Sequence, residues 1–251
     1  MRYRLVNKSH QKRNQQSCHR ASRVTGWLTK ASLKKKTKTT KQRIVTMTTE
    51  DKLKKIKQSF RLLMNGVTAQ SLRDKGLEYH LNWGANLLHL QEMAKDYDKD
   101  LSLALALWKE DIRECKILAT LLMPTKEFTS DLATLWIEQL RSQEIAELLC
   151  MNLLQHVPYA SDMAFQLLAE EHEMPRLCGF NILARLFARN MEPCERDINE
   201  FMDQAVCALQ DKSLSLRHAA LNAVQRFAAL GEMQQKVAQG ALRPLELDFL
   251  V

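Results

Sequence analysis

From Glu50 onward, apolar residues return at three- and four-residue intervals. Leu53, Ile56, Phe60 and Leu63 form the first stripe, with Lys52, Lys54, Lys55, Lys57 and Arg61 around them. That spacing predicts an amphipathic helix, with Gly66 as its end. A short segment around Leu72 follows, and Gly76 to Gly84 reads as a connection. A helix is expected over about 85–97. Beyond it the pattern becomes paired: 100–108 with 110–122, 129–140 with 142–155, 160–171 with 174–190, and 194–209 with 213–229. Second helices begin near 110, 142, 174 and 213, a period of about 32 to 39 residues. Two helices per period predict an all-α chain built as an α-solenoid, an α-α superhelix. No pair can bury its stripe alone, so stacked neighbours make the core.

The second helices share a frame. Ile112-Arg113-Glu114-Cys115, Pro175-Arg176-Leu177-Cys178 and Leu216-Arg217-His218-Ala219 each place an Arg in the first turn, and the remaining pair has Glu144 near that place. Charge is also sorted by helix type. The first helices (98–108, 126–140, 160–173 and 192–210) sum to −11, whereas the second helices (109–123, 141–156, 174–190 and 211–230) sum to +4. In a solenoid the two sets line opposite faces, so one face is expected to be acidic and the other weakly basic. A basic concavity is what a phosphate backbone requires. The plainer alternative is that the alternation only keeps the outer face soluble.

Whole-chain charge adds little to this. The 251 residues carry a formal charge of +8. Residues 1–49 hold 14 Lys/Arg and no Asp or Glu, so the remainder is net −6. Residues 1–46 form a basic extension with neither helical nor strand periodicity. Three readings of it stand: a nucleic-acid-binding arm, a transit peptide, or an upstream in-frame extension with translation starting at Met47. Composition, periodicity and charge all change at Met47-Thr48-Thr49-Glu50, which favours the third and puts the repeat domain at 47–251. With 45% hydrophobic and 26% charged residues, wholesale disorder is excluded. No apolar run approaches the ~18 residues of a membrane span. Cys18, Cys115, Cys150, Cys178, Cys194 and Cys207 form no C-x-x-C pair, so reduced thiols packed on helices are expected. Glu170-Glu171-His172-Glu173 lies on a helix end where its side chains do not converge, and no metal or other cofactor is expected.

The run Asp100-Leu101-Ser102-Leu103-Ala104-Leu105-Ala106-Leu107-Trp108, followed by Lys109-Glu110-Asp111-Ile112-Arg113-Glu114-Cys115-Lys116-Ile117-Leu118-Ala119, resembles the AlkD-like DNA alkylation repair family. Trp83-Gly84-Ala85 is similar to that family's aromatic-Gly-Val segment. Trp136, then Ser142-Gln143-Glu144-Ile145-Ala146-Glu147, falls where its next signature lies. The resemblance covers roughly 65–230 and is strongest over 100–122. It implies a HEAT-like repeat solenoid that grips duplex DNA, alkylated duplex included, in its concave face. Active members are glycosylases that release N3- or N7-alkylated purines without a metal. A carboxylate beside the sugar would stabilise an oxocarbenium-like state. Carried over residue by residue, the catalytic Asp falls on Glu147 and the preceding Trp on Gln143. A DNA-contacting Arg falls on Arg176, and a second aromatic falls on Asn222. Two aromatic positions of the pattern are therefore absent.

Two functions follow as expectations. In the first, Arg113, Lys116, Arg176, Arg217 and Arg226 hold phosphates, Gln143 and Asn222 lie against DNA, and Glu147 is the catalytic acid residue. In the second, a non-catalytic solenoid binds DNA structure or a protein partner through the same surface. The resemblance further implies a monomeric, cytoplasmic bacterial protein, nucleoid-associated when bound, with no membrane role.

Overall fold

The computed structural model describes residues 47–251. The basic extension 1–46 and Cys18 lie outside the described residues. Within the unit Thr48–Val251 the regular elements are helices. They run α1 Thr49–Ser59, α2 Gly66–Asp74, α3 Leu87–Ala94, α4 Leu101–Lys109, α5 Arg113–Leu122 and α6 Ser130–Glu138. Then follow α7 Gln143–Asn152, α8 Ala160–Leu168, α9 Glu173–Ala188, α10 Glu195–Leu209, α11 Leu214–Ala228 and α12 Glu232–Leu242. The all-α helix-pair architecture is as expected, and from α4 to α11 every boundary falls within three residues of the periodicity.

Local chemistry sets these boundaries. Thr48, Asn65, Asn86, Asp100, Thr129, Ser142 and Ser213 each accept a hydrogen bond from a first-turn N–H. Such caps satisfy donors that have no partner inside the helix. One expectation is corrected here. Gly66 does not end the first helix; α1 stops at Ser59, tightens into a 3-10 turn through Leu62, and Gly66 opens α2 behind its Asn65 cap. The C-terminal α12, which packs on α10 and α11, lay beyond the repeats read from the sequence.

The second helices pack in chain order: α3 on α5, α5 on α7, α7 on α9, and α9 on α11. Each first helix packs against its own partner or the next one, as α4 does on α5, α8 on α9 and α10 on α11. Two aromatic clusters mark the core. Trp108 and Trp136 stack at 4.0 Å between ring centroids and 1° between planes, with Phe128 edge-on to Trp136. Phe180, Phe187, Phe201 and Phe227 interlock further along. At Gly179 α9 comes close to α8, since a Cβ there would lie 2.9 Å from the Ala164 carbonyl oxygen.

Candidate nucleic-acid interface

The N-terminal turns of the second helices meet at one edge. Arg113, first in α5, lays its guanidinium on Glu144 of α7, with Nε to Oε2 at 2.7 Å and Nη2 to Oε1 at 2.5 Å. Its Nη1 donates to Glu114 Oε1 and to the Ala85 carbonyl, both at 3.1 Å. Arg113 is 5% exposed and Glu114 0%. Burial opposes the charge on Arg113, but Glu144 and Glu114 more than restore it and raise its pKa. The guanidinium is therefore enclosed in protein contacts, whereas the phosphate-holding role foreseen for it needs an accessible cation. Glu114 also accepts from the backbone N–H groups of Trp83 and Ala85, each at 3.2 Å. This buried network fixes the segment leading into α3.

Glu147 is exposed, one turn into α7, and accepts from Gln143 Nε2 at 2.7 Å. Gln143 Oε1 in turn accepts from Ser215 Oγ of α11 at 2.8 Å. α9 stands between α7 and α11 in the row, so this bridge links the first turns of α7 and α11 across the start of α9. Arg176, in the first turn of α9, pairs with Asp211 at 3.1 Å, and Ser213 Oγ donates to Glu173 at 2.5 Å. The N–H of Ser213 and the Arg176 guanidinium hold the Asp211 carboxyl below its usual pKa, against a smaller burial effect.

Lys116 sits elsewhere. It lines a cavity of about 450 Å³ with Tyr79, Trp108, Gln139 and Arg141, at the turns joining α4 to α5 and α6 to α7. Its Nζ donates to the Trp108 carbonyl and lies 4.6 Å from the Trp108 ring centroid. Burial, aided by Arg141, lowers the pKa of this amine.

On α11, Arg217, Asn222 and Arg226 are all exposed. Asn222 and Arg226 are four residues apart and share a face. Arg217 and Arg226 are nine apart, about half a turn out of phase, and flank the exposed strip from opposite sides. Sequence reasoning missed Arg185 of α9. It is exposed and follows Asn181 by four residues on the solvent strip of that helix, whereas Arg176 does not share that strip. Arg185 and Glu147 both bear electrostatically on the buried Cys150 thiol, whose pKa burial pushes well up. A carboxylate on α7 and a guanidinium on α9 thus both lie within electrostatic reach of that thiol. The signal in the sequence was the polar pair Asn181 and Arg185 inside the otherwise apolar stretch Leu177–Ala188.

Among the described residues no group of three or more His, Cys, Asp or Glu could hold a metal ion, and no helix is long and apolar enough to cross a membrane. Trp108 and Trp136 are 3% and 1% exposed, so neither ring presents a face to a ligand.

A family model described as DNA alkylation repair enzyme matches residues 56–224. No curated protein matches the chain. One solved structure is similar to the chain at a TM-score of 0.67 and 15% identity, over 75% of this chain and 82% of the other. It is described as representing a new family of proteins related to the HEAT-like repeat DNA glycosylases, with affinity for branched DNA structures.

Proposed function

Because the chain belongs to the DNA alkylation repair enzyme family, we propose that it binds DNA along the row of second helices. The surface runs from Gln143 and Glu147 on α7, past Arg185 on α9, to Asn222 on α11, with Arg217 and Arg226 at its borders. The observation that carries this is the Gln143–Ser215 bridge across α9. It supports a concave edge in which charges from three successive second helices converge. The exposed arginines suit phosphates, and the acidic first helices disfavour the opposite face. Arg113 acts here as an internal brace.

Branched DNA, the ligand of the structural relative, is the form this surface fits best. The polar Gln143 and Asn222 stand where the family pattern has aromatics, and Trp108 and Trp136 are locked against each other in the core. No ring described on this face can clamp a cationic base.

A second reading, hydrolysis of the N-glycosidic bond of N3- or N7-alkylated purines, rests on the exposed carboxylate of Glu147. It could support an oxocarbenium-like sugar and position water beside it. An assay for release of 7-methylguanine from methylated duplex DNA separates the two. The binding reading expects no release above background by wild type or by Glu147→Gln. Release by wild type that falls at least about a hundredfold in Glu147→Gln, the scale of positioned acid–base catalysis, establishes the glycosylase reading instead.

A further inference from the structure

Pressed between α1 and the segment before α3 is a groove of about 350 Å³. Leu53, Trp83 and Ile112 give it an apolar floor, and Lys54, Lys57 and Arg61 rise along one wall. Lys57 is paired with Glu110 at 2.9 Å. Lys54 and Arg61 are exposed and make no ion pair among the described residues. Glu50 is the one acidic residue in the lining. The floor is rigid. Leu81 and Ile112 form a parallel bridge, and the Trp83 backbone hangs from the wholly buried Glu114. Trp83 itself is only half-buried, unlike Trp108 and Trp136.

We propose that this groove seats an unpaired nucleotide of branched DNA, its base against Trp83 and the flanking phosphates on Lys54 and Arg61. Three features select that occupant. An indole in a recess cannot reach bases stacked inside a duplex, but an unpaired base offers its π-face at any sequence. Cations spaced along one wall suit a backbone that passes beside the base. With Glu50 as the one acidic residue of the lining, that wall suits an anionic occupant and disfavours a basic one. Continuity adds a fourth. Ile112 immediately precedes α5, so the groove opens at the N-terminal edge of the second helices, where Gln143, Arg176 and Ser215 also gather. A branch would lay its duplex along that row and send its single strand toward Trp83.

This inference rests on the DNA-binding reading, and one titration distinguishes their failures. The full chain is titrated against a labelled duplex and against the same duplex carrying a short single-stranded flap. The variants are Trp83→Ala, Trp83→Phe and the double exchange Lys54→Glu with Arg61→Glu. Wild type is expected to favour the flapped duplex. Trp83→Ala and the double charge reversal lose about tenfold on the flap and keep their duplex affinity, the scale of a single stacked base. Trp83→Phe keeps most of the preference. The charge reversal alters only exposed side chains, so it reads out the groove even where Trp83→Ala fails to fold. A folded Trp83→Ala protein or a charge-reversed protein that keeps the whole flap preference overturns the proposal. Wild type that binds both DNAs equally overturns the groove and leaves the DNA reading standing. Wild type that binds neither removes both.

Discussion

Arg113 shows how far one residue's role can shift between sequence and structure. Its position in a first turn, shared with Arg176 and Arg217, marks it as a candidate phosphate ligand. In the fold it is enclosed by Glu144, Glu114 and the Ala85 carbonyl. Arg113→Met therefore leaves the fully buried Glu114 without its cation, which costs about 3 kcal/mol. A lower urea midpoint with an unchanged slope is the expected result. Arg217→Met, on an exposed side chain, is expected to move stability by less than about 0.5 kcal/mol. Equal effects of the two would show that the buried network is not what sets Arg113 apart. Glu147 and Asn222, in contrast, are exposed on α7 and α11.

At the scale of elements, the helix pairs were legible because a 3.6-residue repeat and polar caps are local properties. The 3-10 turn after α1 was not, since Phe60 continues the apolar stripe and only packing decides where the turn tightens. Gly84 carries the sharpest constraint. Its φ is +68°, and a Cβ there would lie 2.3 Å from the Asn65 carbonyl oxygen and 2.6 Å from the Ala69 nitrogen. Both atoms are backbone, so neither can swing aside. Gly84→Ala is expected to destabilise the protein by on the order of 2 kcal/mol. It should also weaken flap binding more than duplex binding, because the displaced segment carries Trp83. Thermal unfolding and the flap titration check this together; a variant as stable as wild type would show that the segment yields more easily than the geometry implies.

For the molecule as a whole, the overall charge of +8 says little about the interface. What matters is the sorting of charge between helix sets and the exposure of Arg185, Arg217 and Arg226 on one of them. DNA affinity is expected to fall steeply with salt. Arg217→Glu with Arg226→Glu should flatten the plot of log K against log salt concentration by about 2, one for each phosphate no longer neutralised. Charge reversal of Asp131 and Asp162 in the first helices is expected to leave that slope unchanged. A slope unaltered by the arginine changes would move the interface off α11.

The sequence by itself determined the helices, their pairing, the charge sorting and the residues that resemble the family, since each depends on residues close in the chain. Tertiary structure alone decided which charged side chains face solvent. Arg113 and Arg217 share a frame, but Glu144 comes from the next repeat and closes over the first, while among the described residues no acidic partner pairs with the second. It also decided that Trp108 and Trp136 stack on each other and that Arg185 of α9 is exposed. The groove under Trp83 is likewise built from α1, the segment before α3 and the start of α5. Those pieces lie up to about sixty residues apart, and only the folded backbone brings them together.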